Sequence, residues 1–234
     1  MRIVLINPNT TAAMTDEMAD AGRRAVSPGT EVVGITAAHG VASIDGYHDE
    51  VLGAHAVVSA IEELHGEFDA AVICCFGDPG LEAARELADG PVVGIAEASF
   101  LAAMPLGRRF SVLTTLDRGV PPIEDVIRRH GVEERCASVR ATGLTVIEAD
   151  NDPDVAAEAL EREGRKAITE DGADVLVLGC GAMVEVREYV QRTLGVPVVE
   201  GVPAATAMAE GLVRCGLRTS KVRGYKRPEP NVYS

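Results

Sequence analysis

Two short stretches decide the fold of this chain: DAAVICC at residues 69–75 and DVLVLGC at residues 174–180. Each begins with an aspartate, continues through apolar residues that favour a strand buried on both faces, and ends in a cysteine. A small turn, a helical stretch and then a Pro-Val-Val tripeptide follow, at residues 91–93 and 197–199. This order of strand, helix and strand is typical of a parallel sheet covered by helices.

The likeness between the two halves continues along the chain. Residues 2–6 (RIVLI) match residues 109–113 (RFSVL), and the matched positions stay 105 to 107 residues apart. A constant offset over four strands indicates a repeated unit. We therefore predict an α/β fold of two similar lobes, each a four-stranded parallel sheet flanked by helices, with the lobes related by pseudo-twofold symmetry.

Short apolar runs mark the predicted strands of this fold. They are residues 3–7, 31–36, 70–75, 92–95, 110–114, 137–141, 175–180 and 198–200. We assign residues 1–100 and 205–234 to the first lobe and residues 101–204 to the second. The active site is predicted in the cleft between the two lobes.

Capping residues mark the starts of the predicted helices. Thr10 or Thr11 is expected to cap the first helix. Asp78 and Asp152 each precede a proline, a residue that favours the first helical position. Helices are therefore predicted to begin directly after both aspartates.

The composition excludes several classes of partner. A net charge of −14 argues against nucleic acid, because an acidic chain repels phosphate backbones. No apolar run reaches the roughly 20 residues of a membrane-spanning helix, and residues 1–6 do not resemble a signal peptide. Five cysteines, two of them adjacent, are not typical of a secreted disulfide framework. We therefore expect a cytoplasmic protein without a nucleic acid or membrane partner.

The two matched cysteines, Cys75 and Cys180, are the candidate catalytic residues. Ligands of open parallel sheets bind at the carboxyl ends of the strands, so both sulfurs are expected to converge on one cleft from opposite lobes. Inversion of a carbon centre needs a base on one face and an acid on the other, and a thiolate opposite a thiol serves both directions. A helix N-terminus and backbone N–H groups beside each sulfur are expected to lower the thiol pKa from about 8.5.

Removal of a proton from such a carbon forms an enolate-like anion, which needs hydrogen-bond donors at its oxygen. Backbone N–H groups around Gly77 and Gly181 are candidate donors. The hydroxyl groups of Thr114 and Thr115, at the end of another predicted strand, are further candidates.

The remaining cysteines are expected to pack as small hydrophobic side chains. Cys74 alternates with Cys75 along its strand and should face the other way. Cys136 and Cys215 have no matched partner in the other half.

Other polar residues give weaker signals. His48, Asp49 and Glu50 lack a recognised zinc spacing, so we predict a solvated helix face and no metal site. Glu97 and Glu200 lie near matched strand ends, where a helix cap or a contact between lobes is expected rather than a contact with substrate.

At these residues the chain resembles the hydantoin racemase and allantoin racemase family, within the aspartate/glutamate racemase superfamily. The resemblance covers nearly the whole chain, and the segment CFGDPG is specific to this branch. The stretches that carry it are residues 7–10 (NPNT), 42–46 (ASIDG), 75–81 (CFGDPGL), 94–98 (GIAEA), 114–116 (TTL), 179–183 (GCGAM) and 216–221 (GLRTSK). One departure is visible, because relatives are expected to have Cys-Ala-Gly-Met where this chain has Cys-Gly-Ala-Met at residues 180–183.

The resemblance implies a cofactor-independent racemase of five-membered cyclic ureides, with Cys75 and Cys180 as the acid/base pair. It also implies a homo-oligomer whose C-terminal segment packs on the first lobe. The residues that it places around the substrate are Asn9, Ser43, Phe76, Gly77, Thr114, Thr115 and Gly181.

Several functions stay open at this point. A 5-substituted hydantoin is the leading substrate, and allantoin, which is a hydantoin with a ureido group, is the alternative. An enzyme like the arylmalonate decarboxylases or maleate isomerases of the same superfamily is a further alternative. A ligand-binding module without catalysis is the last.

Overall fold

The structure is a computed structural model that describes residues 1–180 and 186–229. Its strands form two four-stranded parallel sheets, with the order β2-β1-β3-β4 in the first and β6-β5-β7-β8 in the second. The strands are β1 (Arg2–Asn7), β2 (Glu31–Thr36), β3 (Ala70–Ile73), β4 (Val92–Gly94), β5 (Phe110–Thr114), β6 (Cys136–Ala141), β7 (Val175–Leu178) and β8 (Val198–Val199). The same order in both sheets confirms the predicted α/β fold built from two similar units.

Helices flank both sheets. They are α1 (Ala12–Ala25), α2 (Tyr47–Glu63), α3 (Leu81–Leu87), α4 (Ile95–Ala103), α5 (Val120–Arg129), α6 (Val146–Asn151), α7 (Pro153–Thr169), α8 (Arg187–Leu194) and α9 (Gly201–Arg214). Among the described residues, no helix is long and apolar enough to cross a bilayer.

Alternate residues of each central strand pack into different cores, as side chains of a strand point to opposite faces. In β1, Ile3 and Leu5 belong to a core that both lobes share, whereas Val4 and Ile6 pack with apolar residues of α2 and α3. In β5, Val112 faces the shared core. Both faces of the sheets are therefore covered, which explains why the strands read as continuous apolar runs.

The shared core joins the two lobes through stacked aromatic rings. Phe100 of α4 lies parallel to Phe110 of β5, with 5.3 Å between ring centroids, and contacts Phe76 edge-on at 5.7 Å. Helices α4 and α9 pack against each other at this junction. Phe76, the residue after Cys75, is in this way tied to both lobes.

Matched aspartates connect the central strands of each sheet. Asp69 accepts a hydrogen bond from the backbone N–H of Arg2 at 2.7 Å. Asp174 accepts one from Arg109 at 3.2 Å and one from Arg108 at 2.9 Å. The repeated aspartate that leads each cysteine strand therefore serves the same purpose in both halves.

The two cysteine strands are shorter than predicted, and they end at matched points. Strand β3 ends at Ile73 and β7 at Leu178, although both predicted strands included the cysteine. The next residue still bonds to the neighbouring strand: the N–H of Cys74 donates to Ile6 O at 2.9 Å, and that of Gly179 to Leu113 O at 2.8 Å. Cys75 and Cys180 follow directly, where each chain leaves its sheet.

One predicted helix start is wrong. Helix α3 begins at Leu81, after Gly80 in the left-handed conformation (φ 72°), and not at the proline after Asp78. Asp78 instead accepts hydrogen bonds from the backbone N–H groups of Ala96 at 3.0 Å and Glu97 at 2.9 Å. It thus caps α4, a helix distant in sequence, which local spacing does not reveal.

The other capping predictions differ in outcome. Asp152 caps α7 as predicted, by accepting from the N–H of Val155 at 3.2 Å. Thr11 occupies the N-cap position of α1, but its side chain makes no capping hydrogen bond there.

The segment after α9 packs against α3 and the turn before β4. Lys221 donates to the carbonyl oxygens of Arg85 and Glu86 at 2.6 and 3.0 Å, and the Thr219 hydroxyl donates to Gly90 O at 2.7 Å. The limits of the two lobes, residues 1–100 with 205–234 and residues 101–204, stay a prediction.

Because Asp78 is buried and accepts from one buried and one half-buried backbone N–H, we expect Asp78→Ala to lower the free energy of unfolding by about 2 to 3 kcal/mol. Asp152→Ala is the matched control, since it removes an exposed cap with one donor and should cost about 1 kcal/mol. Urea denaturation followed by circular dichroism measures both. Equal losses would contradict the role given to Asp78.

Candidate active site

Cys75 and Cys180 line one cavity between the carboxyl ends of the two sheets. The cavity has a volume of about 60 Å³. The other lining residues are Asn9, Met14, Met18, Ile44, Asp45, Gly46, Cys74, Phe76, Gly77, Thr114, Thr115, Gly119, Pro122, Ile123, Val146 and Gly179.

Most of the predicted substrate-binding residues come together here. Asn9, Phe76, Gly77, Thr114 and Thr115 all line the cavity with the two cysteines. Ser43 does not line it. Gly181 lies outside the described residues, so its predicted role stays a prediction.

Ser43 contacts the cavity only through a lining residue, Asp45. Its hydroxyl donates to Asp45 Oδ2 at 2.9 Å, and Asp45 is itself a lining residue. The other carboxylate oxygen, Oδ1, is buried and has no hydrogen-bond partner in the part of the chain that the structure describes. Sequence reasoning missed Asp45, although it is part of the ASIDG stretch that carries the resemblance.

The environment of Cys75 raises the pKa of its thiol. Burial is the largest cause, and the charges of Glu50, Cys180 and Asp78 add to it. The backbone N–H of Gly77 donates to the sulfur and acts in the opposite direction. The sequence predicted a lowered pKa, which is wrong here because α3 begins only at Leu81 and offers no helix N-terminus beside the sulfur.

The two cysteines are electrostatically coupled. Negative charge on Cys180 raises the pKa of Cys75, so ionisation of one thiol opposes ionisation of the other. Such a pair loses its protons in two separate steps, and the intermediate state carries one thiolate and one thiol.

Hydrogen bonds fix the side chain of Asn9 at the cavity. Its side-chain oxygen accepts from Asn7 Nδ2 and from the Thr11 N–H, both at 2.9 Å. The amide nitrogen lies 3.5 Å from the sulfur of Met14, another lining residue. Because the oxygen is already engaged, Asn9 offers a donor to a bound molecule.

Thr114 is the last residue of β5 and Thr115 follows it; both are buried and line the cavity. Their carbonyl oxygens accept hydrogen bonds from the N–H groups of Thr142 at 2.9 Å and Gly143 at 2.8 Å. The backbone is thereby fixed, and both threonines are held at the cavity.

The turn after Cys75 is held from both lobes. Arg129 of α5 donates to the carbonyl oxygen of Gly77 at 3.0 Å. Asp78 caps α4, and His130 Nε2 lies 3.6 Å from its carboxylate. These long-range contacts fix the loop that carries the sulfur.

The other cysteines differ in environment. Cys74 is buried in the shared core and also borders the cavity. Cys136 is half-buried, and burial raises its pKa to about 11. The packing predicted for Cys215 is wrong: it is exposed, because it follows the last residue of α9.

The weaker sequence signals resolve into structural roles. Glu200 caps α9 by accepting from the Val202 N–H at 2.9 Å, and burial raises its pKa to about 7. Glu97 pairs with Arg85 at 2.5 Å. Within residues 1–180 and 186–229, no group of three or more His, Cys, Asp or Glu side chains is arranged to hold a metal ion.

Comparison with known proteins identifies the family. The family model described as Asp/Glu/Hydantoin racemase matches residues 3–209. A hydantoin racemase from Pseudomonas sp. (strain NS671) is 43% identical over 234 residues, which is 100% of this chain and 94% of that protein. A hydantoin racemase from Rhizobium meliloti is 44% identical over 97% of this chain and 95% of that protein.

Solved structures agree with the fold. The allantoin racemase from Pseudomonas fluorescens superposes with a TM-score of 0.96 at 47% identity, over 99% of this chain and 98% of that chain. An arylmalonate decarboxylase has a TM-score of 0.67 at 21% identity, a level that shows a shared fold alone. The chain therefore belongs to the Asp/Glu/Hydantoin racemase family and is an isomerase of the racemase type.

Proposed function

We propose that the protein racemises 5-substituted hydantoins by transferring protons between the substrate and two cysteines, Cys75 and Cys180. The observation that carries the proposal is that both residues line one small cavity, each directly after the matched strand of its own lobe. The hydantoin racemases at 43% and 44% identity support the choice of substrate class.

In the reaction, ring carbon C5 loses one proton and gains another on its opposite face. The thiolate on one face takes the proton from ring carbon C5, and the electron pair of that C–H bond moves into the adjacent carbonyl to give an enolate. The thiol on the other face then gives its proton to C5, which restores the carbonyl with inverted configuration. The two cysteines finish with exchanged protonation states, ready for the opposite enantiomer, so the scheme needs no cofactor.

The enolate oxygen needs donors that are in place before the reaction. In our scheme these are the hydroxyl groups of Thr114 and Thr115 and the amide of Asn9, all at the cavity. The N–H of Gly77 donates to the Cys75 sulfur, so we assign it to the thiolate rather than to the enolate. The predicted donor near Gly181 stays part of the proposal.

The apolar part of the cavity lining favours apolar substituents at C5. It comprises Met14, Met18, Ile44, Pro122, Ile123 and Val146. Alkyl and aryl groups gain free energy when such a lining removes them from water. Methionine side chains also adapt to substituents of different shape.

Allantoin is a second candidate, which one specific observation favours. Asp45 Oδ1 is a buried acceptor at the cavity, without a partner among the described residues. The ureido group of allantoin carries N–H donors that fit such an oxygen. The allantoin racemase at 47% identity supports this candidate too. The cytoplasmic location and the homo-oligomeric state remain predictions from the sequence.

We expect Cys75→Ser and Cys180→Ser each to lower the racemisation rate by at least about 10²-fold, because a serine hydroxyl is a much weaker base than a thiolate. Cys215→Ser, at an exposed position, is the matched control and should keep the wild-type rate. Polarimetry on an enantiopure 5-alkyl hydantoin measures all three variants. Exchange of the C5 proton in heavy water, with one enantiomer at a time, should survive in one direction in each single mutant. Wild-type racemisation by both cysteine mutants would refute the mechanism.

The two substrates can be separated with one variant. If the ureido group donates to Asp45, then Asp45→Asn should lower kcat/KM for allantoin by about tenfold or more, the cost of one lost charge-assisted hydrogen bond. The same variant should leave kcat/KM for a 5-alkyl hydantoin within about twofold, because that substrate has no ureido group to donate to Asp45. Polarimetry on both compounds measures this. No turnover of either compound by the wild-type protein would exclude both candidates.

A further inference from the structure

The carboxylate of Glu50 lies directly against the loop that carries Cys75. Glu50 is in the first turn of α2. A Cβ atom on Gly77 would come within 2.3 Å of Glu50 Oε1, so only glycine leaves room for the carboxylate as it stands. The N–H of this same Gly77 donates to the Cys75 sulfur. A single glycine therefore separates an acidic side chain from the proposed catalytic thiol.

Charged groups from several elements face this pair. Arg129 and Asp125 come from α5, Asp78 from the turn itself, and Cys180 from the second lobe. Arg129 directs one guanidinium nitrogen to the carbonyl oxygen of Gly77. Across the described residues, the Glu50 carboxylate makes no ion pair within 4.0 Å and no side-chain hydrogen bond. Arg129 therefore offsets part of the Glu50 charge from a distance, and no direct ion-pair partner among the described residues neutralises it.

Because Glu50 is partly buried, its negative charge acts more strongly on the Cys75 thiol. Two negative charges at close range repel more strongly when little water lies between them. Glu50 raises the pKa of Cys75, in agreement with the geometry. Burial, with Asp125 and Asp78, raises the pKa of Glu50 itself, while Arg129 lowers it.

We propose that Glu50 is a positioning residue that, together with burial, holds Cys75 as the thiol in the resting enzyme. This inference rests on the two-cysteine function proposed above and adds a residue that controls the charge of one of the two cysteines. It also gives the reason for Gly77, whose missing side chain lets the carboxylate approach.

A comparison of racemisation rates in the two directions cannot test this role of Glu50. Two enantiomers in water have equal free energy, so kcat/KM must be equal in both directions, whichever cysteine holds the proton. Alkylation by iodoacetamide can test it, because only the thiolate reacts and each cysteine is identified by its peptide. The exposed Cys215 provides an internal reference for the reagent in every sample.

The experiment uses the full chain, treated with iodoacetamide between about pH 7 and pH 9 and digested for mass spectrometry. In Glu50→Gln we expect Cys75 to react about tenfold faster than in the wild type at each pH, which corresponds to one pKa unit. The rates of Cys180 and Cys215 should change much less. Glu50→Asp keeps the charge and should hold the Cys75 rate within about threefold of the wild type. Glu63→Gln, an exposed change on the same helix, should have no effect.

Two results would overturn the inference. One is an unchanged Cys75 rate in Glu50→Gln. The other is an equal acceleration of Cys75 and Cys180, which would mean that the substitution opens the cavity rather than removes a charge. The serine variants of Cys75 and Cys180 could lose activity while the alkylation rate of Cys75 is the same in Glu50→Gln and in the wild type. In that case only this inference fails. If those serine variants keep wild-type activity, the proposed function fails, whatever the alkylation shows.

Discussion

The constraint on which the rest of this site depends is that two thiols line one small cavity, where burial opposes the ionisation of Cys75. Cys75 and Cys180 face one small cavity, and charge on one opposes charge on the other. A pair with one thiolate and one thiol is the state that such repulsion favours, and it is also the state that proton transfer across a carbon centre requires. The fold and the surrounding side chains hold Cys75 and Cys180 in place.

The repeated sheet positions the two cysteines. Strands β3 and β7 occupy equivalent positions beside β1 and β5, and each chain leaves its sheet one residue before its cysteine. Because parallel strands of the two lobes end at one cleft, the same local sequence delivers a sulfur from each side. The core that both lobes share, with Phe76, Phe100 and Phe110 at its centre, keeps the two ends together.

The loop after Cys75 supplies the electrostatics, and its contacts come from distant parts of the chain. Asp78 caps α4, Arg129 reaches the Gly77 carbonyl from α5, and Glu50 approaches Gly77 from α2. Each contact spans 18 or more residues of sequence. The chemistry of Cys75 is therefore set less by its own segment than by three other elements packed around it.

The sequence by itself determined the two-lobed sheet, the positions of the strands within one or two residues, and the two matched cysteines, because buried strands and a constant repeat leave a local pattern. It misplaced the partner of Asp78, the exposure of Cys215 and the direction of the Cys75 pKa. Only the tertiary structure decided these, and with them the approach of Glu50 to Gly77 and the position of Asp45 at the cavity. The reason is physical: hydrogen-bond partners, burial and the repulsion between charges depend on distances between segments far apart in the chain, and no local pattern encodes those distances.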